Sequence, residues 1–495
     1  MRLAKKRDNN LFRQRAALYR LYKLRRKPFS FRSGSDYTQR MNLLDPLFRS
    51  QAVEKVFSNR ATLQGMLDFE AALARAESRG GFIPASAAPA IEAKCRAELY
   101  DMTALASAAA NAGNLAIPLV KQLTVLVAQR EKEAAHYVHW GATSQDTIDT
   151  GRVLQLRQAL TLVSAELDLL AAVLGDMVQK HRTTLVAART WMQQALPTTF
   201  GLQVAGWLDA LERHRARLAE TQERCLVLQF GGAVGTMAAL GARGLDVATA
   251  LAKELQLPLP ELSWHSHRDR MGEIATTLGL LTVTLGKIAR DVALHMQTEV
   301  GEVFEPSADG RGGSSTMPHK RNPITSAVVL SAALRVPPLV GTMLAALVQE
   351  EERGLGGWHA EWETLPEIVR LTAGALHHLT NAASQLEIDS ERMRQNLGVT
   401  QGLIFAEAVA MALAEKIPRS EGHELVQRAC KRARGAHRDL RSVLAQDAVV
   451  KANLSDAELD RLFAPGNYLG VADQLIDRVL ASRDLPREQK KNRKM

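Results

Sequence analysis

Asp269-Arg270-Met271-Gly272-Glu273-Ile274-Ala275-Thr276-Thr277-Leu278-Gly279-Leu280-Leu281-Thr282-Val283-Thr284-Leu285-Gly286-Lys287-Ile288-Ala289-Arg290-Asp291-Val292 decides the fold class. Ile274, Leu278, Leu281, Leu285, Ile288 and Val292 recur at alternating steps of four and three, which is a heptad seam. The run from Asp269 to Thr298 contains no proline, and as one helix it would be about 45 Å long at 1.5 Å per residue. A helix of that length belongs to a bundle or a coiled coil.

Similar patterns flank it. A helical run from about Asp146 to Lys180 opens a block of long helices that ends near Leu386. Ahead of it, Leu63, Met66, Leu67, Phe69 and Leu73 crowd one side of an amphipathic segment that Gly80-Gly81 and Pro84 terminate. Shorter helices are predicted over Ala87–Ala97 and Thr103–Asn111, the latter stopped by Asn-Ala-Gly-Asn. The expected fold is all-α, with three helical domains: residues 41–150, a central long-helix bundle over 151–390, and a smaller domain over 391–482. One chain supplying several such helices points to a bundle shared between subunits.

Composition agrees with helices: aromatics are only 5% of 495 residues, while Ala and Leu abound. Cys95, Cys225 and Cys430 match no disulfide or metal spacing, so a soluble protein of a reducing, cytoplasmic compartment is expected. The net charge of +10 is concentrated at the start, because residues 1–40 hold 13 Lys or Arg against 2 acids and the rest sums to about −1. A basic body suited to nucleic acid is therefore excluded. The arm itself reads either as a transit or nucleic-acid-binding segment, or as a solvated extension ahead of a start at Met41, and like-charge blocks favour the second. Residues 483–495 form a basic tail. No apolar leader is visible, and no stretch is expected to span a membrane.

The chemistry concentrates in Gly312-Gly313-Ser314-Ser315-Thr316-Met317-Pro318-His319-Lys320-Arg321-Asn322-Pro323. Glycines, hydroxyls and then cations run into Asn322-Pro323, which reads as the cap and first position of a helix and so as a place for an anion. A second small-polar loop, Val138-His139-Trp140-Gly141-Ala142-Thr143-Ser144-Gln145-Asp146, precedes the first long helix. His265/His267, His136/His139 and His377/His378 lack the carboxylate or thiol neighbours of a metal site, and no phosphate-binding glycine pattern occurs, so neither metal nor cofactor is implied.

The run from Gly313 to Pro323 resembles the signature of the fumarase/aspartase superfamily, which includes argininosuccinate and adenylosuccinate lyases. The likeness extends over about Asn42 to Leu480, through Gly141–Asp146, Arg189-Thr190-Trp191-Met192-Gln193 and Glu352-Arg353. Leu63–Ala76 and Trp358–Pro366 resemble one branch closely, the bacterial 3-carboxy-cis,cis-muconate cycloisomerases. The resemblance implies a homotetramer around a central helical bundle, with each active site built by three subunits, and a tricarboxylate substrate. It implies that Ser314 transfers a proton from a closing loop, that Lys320 and Asn322 hold a carboxylate and the developing enediolate, that Thr143 and Ser144 bind a second carboxylate, and that Gln193 and Arg353 stand beside the substrate. A serine needs such neighbours, because its alkoxide must be stabilised by cations or amides.

Two positions depart from the lyases. Where they carry a histidine as general acid, this chain has Trp191, whose indole does not exchange its proton near neutral pH. A second lyase histidine is Tyr100 here. Lactonisation permits this loss, since a substrate carboxylate that adds across a carbon–carbon double bond is already ionised and only carbon needs a proton. Trp191 reads either as filling the histidine's space or as touching substrate. Arg268 reads as a substrate cation or a solvated helix start, and His139 as catalytic or as a packed, hydrogen-bonded histidine. A fumarate-releasing lyase and a catalytically silent structural homologue are the alternative functions.

Overall fold

The computed structural model describes residues 42–307, 312–313, 316–317 and 319–484. Ser314, the expected proton-transfer residue, and the basic segments 1–40 and 485–495 lie outside the described residues. Residues 42–46 belong to a small unit of their own, in which the Asn42 side chain accepts from the Leu44 N–H. The second unit begins at Leu47.

Its helices follow the expected periodicities. α1 (Asn59–Arg79) starts at Ser58, whose hydroxyl accepts from the Ala61 N–H, and stops at Gly80. After the short helix Ala87–Glu92 come α2 (Met102–Ala112), capped by Asp101 and ended by left-handed Gly113, and α3 (Ala116–Ala128), a helix that the sequence reading passed over. α4 (Ser144–Lys180) leads into a hairpin of β1 (Leu185–Thr190) and β2 (Gln193–Thr199). Then follow α5 (Phe200–Cys225), α6 (Gly244–Leu255), α7 (Asp269–His295), β3 (Val303–Phe304), α8 (Ile324–Ala346), α9 (Gly357–Ala383) and β4 (Glu387–Ile388). α10 (Ala406–Ala414) and α11 (Arg419–Gly435) lead the C-terminal helices. The two antiparallel strand pairs do not alter the all-α class.

α4, α5, α7, α8 and α9 pack together as the central bundle. All six seam residues of α7 are buried. A second heptad on the same helix was not anticipated. An added Cβ at Gly272 would lie 2.8 Å from Leu347, at Gly279 2.9 Å from Val340, and at Gly286 2.6 Å from Ala333. Rising numbers on α7 meet falling numbers on α8, so the helices run antiparallel, and every seventh residue must be glycine for them to approach so closely.

α8 corrects one expectation. By length and composition it is apolar enough to cross a membrane, yet only 28% of its most apolar window is buried. One side is spent on α7 and α9, while Leu334 and Leu344 face outward. Other buried apolar groups gather separately around Leu63–Ala134 and around Val409–Leu459.

Candidate active site

Thr143 and Asp146 open α4 and gather the loops around them. Asp146 is fully buried; its Oδ2 accepts from the Thr143 N–H (3.0 Å) and the Gly232 N–H (2.9 Å), and its Oδ1 from the Gly231 N–H (3.1 Å). His265 Nε2 lies 2.7 Å from the same Oδ1. A carboxylate among such donors fixes the Gly141–Thr143 loop against the Gly231-Gly232 turn. Gly232 is left-handed, and a Cβ there would press on the Gly141 carbonyl oxygen at 3.0 Å. Next to Asp146, Gln145 donates to the His265 carbonyl (2.8 Å) and accepts from Arg353 Nε (3.1 Å), while Arg353 Nη2 donates to the Ala233 carbonyl (3.0 Å). Arg353 therefore stands beside Thr143 and Ser144.

His139 joins this end through Glu70. Its backbone is left-handed (φ 58°), and its Nδ1 lies 2.7 Å from Glu70 Oε1, which also accepts from the Thr147 hydroxyl at 2.8 Å. Burial acts to lower the imidazole pKa, but the Glu70 charge and hydrogen bond outweigh it, and the net shift is upward. Glu77, one heptad along α1, is also buried; desolvation, followed by repulsion from Glu70, pushes it up to about 9, so it is neutral at physiological pH. His139 is thus both hydrogen-bonded and biased toward the imidazolium.

Gln193, Trp191, Lys320 and Asn322 lie at the other end of the bundle. α4 alone, at 37 residues, is about 55 Å long. Arg268, just before α7, bonds Asp149 near the start of α4, whereas His295, which ends α7, faces Glu302. Glu302 in turn holds Arg189 of the hairpin. Gln193 is exposed and pairs with Thr190, leaving Trp191 and Met192 as the two-residue turn. Both have positive φ (51° and 65°), a conformation that favours Asn and Gly, and the indole is 97% exposed. Within one chain Trp191 therefore fills no histidine-sized space. Tyr100 is buried, and its hydroxyl donates to the Lys94 carbonyl.

The signature loop corrects the expected helix cap. Asn322 closes the loop base instead, its N–H donating to the Gly312 carbonyl (2.9 Å) and its Nδ2 to that of Gly313 (3.3 Å). α8 begins at Ile324, and the Thr325 and Ser326 N–H groups both donate at 2.8 Å to the buried carboxylate of Glu305. An internal anion already takes the helix start, so those amides are not open to substrate. Lys320 is exposed in the loop, and Arg321 bonds Glu387 and the Glu305 carbonyl.

Arg268 is a second correction. It is 2% exposed, donates to both oxygens of Asp149 and of Glu361, and lies over the Trp264 ring at 4.7 Å. It serves neither as a substrate cation nor as a solvated helix start; two internal carboxylates use its donors. Glu70, Glu302 and Glu305 were missed because isolated acids carry no local pattern, and the pairing of His265 with Asp146 was missed because it joins residues 119 positions apart. The Thr143-x-x-Asp146 capping spacing was the one available signal. Among the described residues no group of three or more His, Cys, Asp or Glu is placed to hold a metal.

Residues 48–337 match the family described as Lyase, and 402–479 match Adenylosuccinate lyase C-terminus. The chain is 58% identical to a 3-carboxy-cis,cis-muconate cycloisomerase of Pseudomonas aeruginosa, over 89% of this chain and 96% of the relative. It is 52% identical to a protein of the same name from Bradyrhizobium diazoefficiens, over 89% and 98%. The crystal structure of 3-carboxy-cis,cis-muconate lactonizing enzyme from Pseudomonas putida superposes with a TM-score of 0.85 at 53% identity, covering 89% of this chain and 98% of that one.

Proposed function

The chain belongs to the lyase family of the fumarase/aspartase superfamily, and from that premise we propose that it is a lactonising cycloisomerase, converting 3-carboxy-cis,cis-muconate to carboxymuconolactone in protocatechuate breakdown. The observation that carries this is its likeness, over nearly nine-tenths of its length, to proteins named for that activity.

The chemistry fits the residues present. One substrate carboxylate oxygen forms a bond to an alkene carbon, and the neighbouring carbon takes one proton; nothing leaves. A site with a single acid suffices, and Trp191 in place of a histidine is compatible with that. In this scheme Ser314 carries the proton, while Lys320 and Asn322 stabilise the charge that develops beside a carboxylate. Thr143, Ser144 and Arg353 hold a second carboxylate, Gln193 and Trp191 line the opposite wall, and imidazolium His139 supplies further positive charge.

These groups occupy two ends of one protomer, so a complete site needs more than one copy. We therefore infer a homotetramer with active sites shared by three subunits, in the cytoplasm. Three features support the shared bundle: the outward Leu334 and Leu344 of α8, the outward Leu280 and Val283 of α7, and the strained, exposed Trp191-Met192 turn. The three helical domains expected over 41–150, 151–390 and 391–482 are kept as part of this proposal.

Incubation with 3-carboxy-cis,cis-muconate should deplete its absorbance. Fumarate release from argininosuccinate or adenylosuccinate, with carboxymuconate untouched, would overturn the assignment in favour of a lyase. Inactivity on all three would point to a silent homologue.

A further inference from the structure

The carboxylate of Glu70 lies on α1 with its side chain wholly buried. Oε1 receives the Thr147 hydroxyl and faces His139 Nδ1, while Oε2 is buried with no hydrogen-bond partner. Among the described residues no Lys or Arg pairs with Glu70, and His139 is the one potential cation bonded to it. A buried carboxylate without a counter-charge is costly, so the pair is stable as carboxylate and imidazolium.

The other groups near this pair leave that balance undisturbed. Glu77 has neither oxygen bonded and, held up to about 9 by burial and then by Glu70, adds no charge at neutral pH. Cys95 and Tyr100, which the Glu70 charge also reaches, are kept protonated chiefly by burial. Asp146 is the remaining acid that acts on His139, and its own oxygens are taken by three backbone amides and His265.

The imidazole is also fixed in direction. A left-handed φ is uncommon for any residue but glycine, and His139 keeps one just ahead of the Gly141–Thr143 loop. Thr147, whose hydroxyl oxygen is 3.4 Å from Nδ1, follows Thr143 by four residues, about 6 Å along α4. The ring therefore rests against the helix start that carries Thr143 and Ser144. Its side chain is 16% exposed, and with Nδ1 turned to a buried carboxylate the open edge is that of Nε2.

We infer that Glu70 is a positioning residue for the reaction: with Thr147 it grips Nδ1 and makes His139 present Nε2–H, as an imidazolium, to the substrate carboxylate at Thr143 and Ser144. No proton is transferred in this role; the imidazolium donates a charge-assisted hydrogen bond and keeps its proton. The substrate named here rests on the activity proposed above, whereas the grip on His139 does not.

The test uses the full chain in its native assembly. Deuterium exchange at the histidine ring C–H, read by mass spectrometry from pH 5 to 9, follows the titration of His139 without substrate. Calorimetry with propane-1,2,3-tricarboxylate reads carboxylate binding without turnover. The wild-type His139 midpoint should lie above the ordinary 6.5. Glu70→Gln should lower that midpoint, weaken the tricarboxylate about tenfold at pH 7.5, and raise KM for 3-carboxy-cis,cis-muconate similarly with kcat within about threefold. Glu70→Asp should recover part of each loss, and Glu77→Gln should change none of them at pH 7.5. A wild-type midpoint at or below 6.5 would overturn the proposal even if Glu70→Gln fails to fold. So would an unmoved midpoint in Glu70→Gln, or a lowered midpoint with unchanged tricarboxylate affinity. A wild-type protein that binds the tricarboxylate as described yet leaves carboxymuconate intact would refute the proposed activity and uphold the role of Glu70.

Discussion

Glu302→Gln is the most informative perturbation of the scaffold. Glu302 is fully buried, and its two oxygens receive four donors: Arg189 Nη1 (2.8 Å) and Nη2 (2.7 Å), Asn396 Nδ2 (2.7 Å), and His295 Nδ1 (2.8 Å). Burial pushes its pKa up, but the bonds from His295, Arg189 and Asn396 outweigh it and hold the carboxyl down to about 2. A fall from the ordinary 4.5 to about 2 corresponds to about 3 kcal/mol of stability. Because the folded value is depressed, that contribution is complete above pH 4.5 and is lost as pH drops from there toward 2. Glutamine keeps the shape but removes the charge and turns an NH₂ toward donors. Urea unfolding at a fixed subunit concentration should therefore show the variant about 3 kcal/mol less stable at pH 7, with the gap narrowing at pH 3.5. A gap below about 1 kcal/mol at pH 7, or one unchanged between the two pH values, would refute this account of how the hairpin is anchored.

Arg268→Met leaves Asp149 and Glu361 buried without their cation, so a loss of about 3–5 kcal/mol is expected in the same unfolding assay. Where that variant still assembles, KM should stay near the wild-type value, since the side chain faces no substrate. Glu70→Gln removes the charge that favours imidazolium at His139, so the His139 pKa falls, and the alkaline limb of the pH–rate profile should move to lower pH. An unmoved limb would remove His139 from the titrating machinery. Trp191→Ala should leave the stability of an isolated chain nearly unchanged, because the indole is 97% exposed, yet lower turnover if the turn enters a neighbour's site. Full activity in that variant would disconnect the hairpin from catalysis.

Most of the architecture was legible because helices announce themselves locally. Apolar periodicity marked α1, α4 and α7, and Gly80 and Gly113 marked two of the stops. The β1–β2 hairpin was harder, since its turn carries Trp191-Met192 in place of Asn or Gly and gave no turn signal. The signature run between Gly312 and Pro323 pointed to the family, but it did not reveal that Glu305 would occupy the following helix start.

The sequence by itself thus determined the helical class, the lengths of the bundle helices, the family, and which short segments carry the chemistry, because each depends on residues near one another in the chain. Only the tertiary structure decided which charged groups are spent internally. Arg268 looked like a substrate cation until Asp149 and Glu361, separated from it by 119 and 93 positions, were seen to clasp it. His139 looked ambiguous until Glu70 was found beside it. The placement of Thr143 and Trp191 at opposite ends of the bundle likewise follows from helix length and packing. Ion pairs and burial are set by distance in space, and sequence spacing does not encode that distance.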